Sequence, residues 1–251
     1  MIVKERDAMP RTIEALERRA GGTGDALLRT ACLGAAARLR ADRPTAGACE
    51  LIDRNFAECD DWAVIHDLRL EIDGHAARFD HVLVGEALDV VGVDTRFVDA
   101  GLYLSGNGRC ETFDGQTRRL VACPLAKMAR DLRKLDVALG RVGLPRGRFG
   151  LRARPELAGC VLFDPAHRLG APAVEPGGTV GVYPREALYR MLWKRRRRRV
   201  GAPRQRLSGE ALRELAARLV DQHRPAFPPS LLEGKVEEET LRALAAARAA
   251  A

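Results

Sequence analysis

The sequence has no CxxC pair and no close Cys/His spacing. Its six cysteines (Cys32, Cys49, Cys59, Cys110, Cys123, Cys160) are scattered along 251 residues. That distribution argues against a zinc site and for reduced thiols used as ordinary core residues of an intracellular chain. No apolar run approaches the roughly 20 residues needed to cross a bilayer, and Met1 to Pro10 is charged rather than apolar. These absences predict a soluble, cytoplasmic protein without a membrane partner. There is no GxSxG element and no Walker-type sequence. The glycine-rich stretch "SGNGRC" (Ser105 to Cys110) lies in hairpin context rather than before a helix, which sets aside a phosphate-binding loop. Internal repetition is absent too.

Lysine is scarce, occurring only at Lys4, Lys127, Lys134, Lys194 and Lys235, so arginine supplies most of the positive charge. The excess of 42 Lys and Arg over 34 Asp and Glu leaves a formal charge of +8. Such a balance favours a polyanionic partner, nucleic acid or an anionic surface. The densest cluster, Lys194 to Arg199 behind Trp193, would lend salt-sensitive affinity for phosphates without sequence preference, or would simply be a solvated helix end.

The length allows one substantial core with extensions. Residues 1 to 22 read as a short charged arm in which Ile2, Ile13 and Leu16 could form an amphipathic face ahead of Gly21 and Gly22. From Thr23, a possible cap, Leu27, Leu28, Cys32, Leu33 and Leu39 recur at helical spacing. Three β-branched runs follow, at 60 to 73, 78 to 84 and 88 to 97, and predict successive strands. Gly-Asn-Gly at 106 to 108 and Asp-Gly at 114 to 115 predict a β-hairpin excursion. Pro124 then opens a helix with Leu125, Met128, Leu132, Leu135 and Leu139 on one face and Gly140 as its stop. Residues 159 to 165 and 179 to 184 read as further strands, and "REALYRMLWK" as a helix. Residues 201 to 251 hold two helical patterns joined by a proline-containing linker, and read as a C-terminal helical appendage. The domain reading is therefore an arm at 1 to 22, a core at 23 to 200 and an appendage at 201 to 251.

Within that order, one carboxylate, Asp80, stands in the second strand, and a D-x-R triplet, Asp94 to Arg96, ends the third. Alternate strand residues share a face, so Asp94 and Arg96 project together, and a tight turn at Gly85, Glu86 and Ala87 would bring the strand bearing Asp80 alongside. Mg²⁺ binds oxygen ligands through one or two carboxylates while keeping several waters. Asp80 and Asp94 could serve as those ligands, with the main-chain carbonyl of Thr95 as another. His81 falls on the opposite face of its strand and reads as a packed core histidine, while His66, His75, His167 and His223 form no cluster in sequence.

The pieces Gly24-Asp25, "FDHVLV" at 79 to 84, "VGVDTRF" at 91 to 97 and "CPLAKMARDL" at 123 to 132 resemble, in order and spacing, the nuclease-related domain (NERD) family of the PD-(D/E)xK nuclease superfamily. The opening "MIVKERDAMP" is similar as well, and the resemblance covers roughly residues 1 to 140. It implies an α/β restriction-endonuclease-like core, ordered helix, three strands, helix, strand, with a helical C-terminal extension. It also implies a Mg²⁺ or Mn²⁺ dependent endonuclease acting on DNA. Asp80 and Asp94 would bind metal, Asp25 would support them from the first helix, and Arg96 would contact the scissile phosphate. The chain departs from the family pattern in having Asp25 and Asp94 for glutamates, Arg96 for the lysine and Lys127 for a glutamine. Guanidinium stays protonated, so Arg96 could stabilise developing charge but could not act as a base, and Lys127 could return an ammonium to the site from the helix. The alternative is a nuclease-fold module that no longer cuts, in which Asp80 and Arg96 make a structural ion pair and the protein binds nucleic acid or a protein partner.

Overall fold

A computed structural model of the chain describes residues 1–6, 9–41, 45–96, 101–104, 110–113, 116–144, 154–163, 179–197 and 206–225. The protein is mixed α/β. It opens with β1 (Ile2–Lys4), α1 (Met9–Gly22), α2 (Ala26–Ala41) and α3 (Thr45–Phe56), then β2 (Trp62–Ile72), β3 (His75–Gly85) and β4 (Asp89–Arg96). The short strands β5 (Gly101–Leu104), β6 (Cys110–Phe113) and β7 (Arg118–Val121) precede α4 (Pro124–Val142). After them come β8 (Glu156–Phe163), β9 (Val180–Pro184), a single 3-10 turn at Arg185–Ala187, α5 (Leu188–Arg197) and α6 (Gly209–Val220). Two compact units result: Met1–Glu5 with Pro44–His223, and Arg6–Arg43 with Arg224–Ala251.

In the smaller unit, α1 and α2 bury Leu16, Ala20, Cys32, Ala35 and Ala36 against one another. The larger unit is built on a six-stranded sheet ordered β1-β2-β3-β4-β8-β9. The β2-β3-β4 stretch is an antiparallel meander, whereas β4-β8-β9 run parallel, as does the β1-β2 pair. A parallel neighbour needs a crossover, and α4 lies within the one joining β4 to β8. One face of the sheet packs on α4 and α6 through Met128, Leu132, Leu135, Leu139, Leu212, Leu215 and Leu219. The other packs on α3 and α5 through Ile52, Phe56, Leu188 and Leu192.

The β2-β3 connection is a two-residue hairpin in which Asp73 (φ 52) and Gly74 (φ 76) both take positive φ, with Ile72 opposite His75. That backbone is the one whose twist suits a tight hairpin, and Asp-Gly is the dipeptide that adopts it most readily. Further along, the same two strands change phase together. In β2 the α4-facing set passes from Ala63 and Ile65 to Leu68, Leu70 and Ile72, and in β3 from Ala77 and Phe79 to Val82 and Val84. The ladder pairs His66 with His81 and Leu68 with Phe79, leaving Asp67, at φ 48, and Asp80 at the break. A slip of one residue sends a side chain to the other face of a sheet, and a local kink of this kind re-aims side chains without ending the strand.

Several sequence expectations are adjusted. Residues 45–56 form a helix, α3, that the sequence reading passed over. The opening residues include a strand, β1, paired with β2 at the sheet edge, rather than helix alone. The expected hairpin is a three-stranded antiparallel sheet, β5-β6-β7, and its glycine turns at 106–108 and 114–115 lie outside the described residues. Helix α6, read from sequence as part of an appendage, packs into the larger unit because Leu207, Leu212, Leu215, Ala216 and Leu219 need an apolar partner surface. The second C-terminal helical pattern, at 236–250, lies outside the described residues.

Candidate functional site

Strands β3 and β4 pair antiparallel up to His81 opposite Val93, and Asp80 and Asp94 stand one step beyond that pair. Both carboxylates are buried. Asp80 Oδ2 accepts hydrogen bonds from the Thr95 amide (2.6 Å) and the Thr95 hydroxyl (2.7 Å), and its Oδ1 faces the Arg78 guanidinium at 3.8 Å. Burial, followed by the negative charge of Asp94, pushes the Asp80 carboxyl up to about 6, against the pull of the Thr95 hydrogen bonds and Arg78. Two carboxylates held this close resist ionising together.

Lys127, from the first turn of α4, reaches into the pair. Its Nζ lies 2.8 Å from Asp94 Oδ2 and 2.8 Å from Asp131 Oδ2, the latter one helical turn away, and donates to the Arg78 carbonyl at 3.3 Å. Burial by itself lowers the pKa of this ammonium, but Asp94 and Asp131 together outweigh it and hold the value above the ordinary lysine one. The side chain is 35% exposed, so the cluster meets solvent on the lysine side.

The other sequence-derived candidates are placed as follows. Arg96 ends β4 with its backbone opposite Phe163 of β8, and its side chain lies outside the described residues. The Thr95 side chain and amide are engaged by Asp80. Asp25 belongs to the smaller unit, where its carboxylate caps α2 by accepting from the amides of Leu27 (2.9 Å) and Leu28 (3.3 Å). The basic cluster from Lys194 runs along the end of α5 to Arg197, and its side chains are outside the described residues.

A second group of functional side chains gathers on the opposite, α3-facing side of the sheet, where sequence spacing gives no sign of it. Cys49 of α3, His66 of β2 and His81 of β3 are buried, with ligating atoms all within 4.8 Å of one another, an arrangement able to hold a metal ion. His66 Nδ1 lies 2.7 Å from His81 Nδ1, and His66 Nε2 lies 3.0 Å from Asp53 Oδ1. Burial pulls the His66 pKa down, opposed by Asp53. The signal that could have revealed the cluster is indirect: Ala48, Ile52 and Phe56 at helical spacing mark α3, and Cys49 and Asp53 then fall one turn apart on it. All six cysteines are free, and burial pushes Cys110 up to about 12 and raises Cys160 strongly.

Among the described residues no helix is long and apolar enough to cross a membrane. In comparisons with known proteins the chain matches no family model, no curated protein and no solved structure.

Proposed function

We propose that the larger unit is a restriction-endonuclease-like core and that Asp80, Asp94 and Lys127 form a Mg²⁺ or Mn²⁺ dependent centre hydrolysing phosphodiester bonds of DNA. The observation that carries this reading is the convergence of two buried carboxylates from adjacent strands with an ammonium from the crossover helix. The meander β2-β3-β4 followed by α4 and the parallel strand β8 supports the fold class. The donor set fits a hard divalent ion: Asp80 and Asp94 offer carboxylate oxygens from adjacent strands, and the raised pKa of Asp80 marks negative charge that an added cation would relieve. Asp80 and Asp94 would hold such an ion, which would lower the pKa of a water and neutralise charge on the scissile phosphate.

The chain's own residues do the rest. Asp80, fixed by two hydrogen bonds from Thr95, and Asp94 bind and orient. Water, giving up a proton to bulk solvent, adds to phosphorus, the ester bond to the leaving oxygen breaks, and that oxygen takes up a proton from solvent. Lys127, kept protonated by its two carboxylate neighbours, donates hydrogen bonds to phosphate oxygens and stabilises their developing charge, and does not act as the base. The +8 charge favours the polyanionic substrate.

A second reading has its own observation. Asp80 is satisfied by Thr95 and Asp94 by Lys127 without any metal, which suits a module that binds nucleic acid or a protein partner and no longer cuts. Plasmid incubated with the protein and Mg²⁺ or Mn²⁺, beside Asp80→Ala, Asp94→Ala and Lys127→Ala, separates the two. Cleavage lost in the aspartate variants supports the hydrolytic centre. Equal cleavage in all samples rejects the assignment, and absent cleavage with retained DNA binding establishes the second reading.

A further inference from the structure

We infer that Cys49, His66 and His81 form a transition-metal site that takes Zn²⁺ or an ion of the same borderline class, separate from the carboxylate centre. The donors come from a helix and two strands, and the phase change at Asp67 and Asp80 is what accompanies His66 and His81 on the α3 side of the sheet. The two histidines are cross-strand partners with ring centroids 4.9 Å apart and planes at 89°.

Asp53 decides which nitrogen faces inward. With its Oδ1 3.0 Å from His66 Nε2, the Nε2–H donates to the carboxylate, and the Nδ1 lone pair points to His81 Nδ1 at 2.7 Å, with Cys49 Sγ at 3.7 Å. A metal-binding histidine whose other nitrogen is held by a carboxylate is the usual means of fixing tautomer and ring orientation. The Cys49 thiol donates to Asp53 Oδ2 at 3.5 Å, and metal binding releases that proton together with the one shared by the imidazoles.

One thiolate and two imidazoles select a borderline ion over Mg²⁺, which takes oxygen ligands. Tetrahedral Zn²⁺ with bonds of about 2.0–2.1 Å to nitrogen and about 2.3 Å to sulfur wants N···N near ~3.3 Å and N···S near ~3.6 Å. Cys49 Sγ lies 3.7 Å from His66 Nδ1 but also 3.9 Å from its Nε2, so the thiol must swing to the Nδ1 side on binding, while the 2.7 Å between imidazoles opens by about half an ångström through ring rotation. The fourth position is left to water.

The test uses the full chain, reduced and treated with chelator, then titrated with Co²⁺. One equivalent should bind with a thiolate-to-cobalt charge-transfer band in the near ultraviolet that Zn²⁺ displaces. Cys49→Ala should remove the band, and Asp53→Asn should weaken binding about 10–100-fold. Asp94→Asn should leave the thiolate-to-cobalt band unchanged, which distinguishes this site from the carboxylate centre. X-ray absorption of the Zn²⁺-loaded, unmutated protein should show one sulfur and two imidazoles. No thiolate-to-cobalt band, a band surviving Cys49→Ala, a band lost in Asp94→Asn, or a zinc shell without sulfur overturns the inference.

Discussion

Asp80 is where burial and charge conflict most directly. Its folded pKa of about 6 lies above the ordinary value of 3.8, so the folded state binds the proton more tightly than the unfolded chain. The resulting stabilisation is complete below pH 3.8 and is lost as pH rises to about 6, leaving the ionised carboxylate a net cost at neutral pH. Asp80→Asn retains an oxygen to accept from Thr95 and removes the charge. In thermal melts without divalent ions it should therefore stabilise the protein at pH 8, on the order of 1–3 kcal/mol, and give no gain at pH 4. Destabilisation at pH 8 would show that the Thr95 hydrogen bonds and Arg78 outweigh burial and the charge of Asp94. Lys127 has the opposite sign. Its raised pKa means stability that is present below pH 10.5 and is lost as pH climbs through the folded value. Lys127→Met withdraws the ammonium from Asp94 and Asp131. Urea denaturation should show a loss of about 1–2 kcal/mol, a figure reduced for the lysine's solvent exposure.

At the level of elements, the site depends on how closely α4 lies on the sheet. A Cβ at Gly159 would stand 2.4 Å from Met128 Cγ, and one at Gly92 would stand 2.7 Å from the Phe79 ring. These two glycines, on the adjacent parallel strands β8 and β4 and paired in register, let the helix carry Met128 and Leu132 down onto the strands. Lys127 follows, because it precedes Met128 on the same turn. Gly159→Ala should cost about 1–3 kcal/mol through overpacking and lower cleavage further by moving Lys127 from Asp94. Met128→Ala in the same chain should recover part of both losses, measured by denaturation and plasmid cleavage. If the double variant recovers neither, the close approach is not what sets the lysine. Helix α3 is a weaker element by sequence, with Gly47 in its first turn and a short apolar stripe. It is held by Ile52 and Phe56 against Trp62, Val64 and Leu83 rather than by propensity.

For the whole molecule the relevant quantity is charge. With +8 overall and arginines grouped at 195 to 199, nucleic-acid affinity should fall linearly with log salt, by about 0.9 in log units per phosphate neutralised on a duplex. Replacing Arg195 to Arg199 with serines should flatten that slope equally for unrelated DNA sequences, as read by fluorescence anisotropy. A slope left unchanged would remove this cluster from the interface. The two units also differ in what holds them together. The larger has an apolar core on each face of its sheet, while the described part of the smaller rests on the α1-α2 contact, built largely of alanine, leucine and cysteine.

The strands β2, β3, β4, β8 and β9 and the helix α4 were legible because period-2 alternation, β-branched runs and a proline at a helix start are local signals. The adjacency of Asp80 and Asp94 was legible as well, since a short turn between two strands leaves few registers. Tertiary structure alone decided three things. It brought Lys127 to Asp94, because a lysine on a helix face carries no local mark of its partner. It placed Asp25, which caps α2 locally, in the smaller unit rather than in the unit that holds the sheet. It also assembled Cys49, His66 and His81, which are 17 and 15 residues apart in sequence and meet through a strand pairing and a helix docked on it. Local spacing records the geometry of one element, whereas a site shared by three elements is fixed by how the core packs.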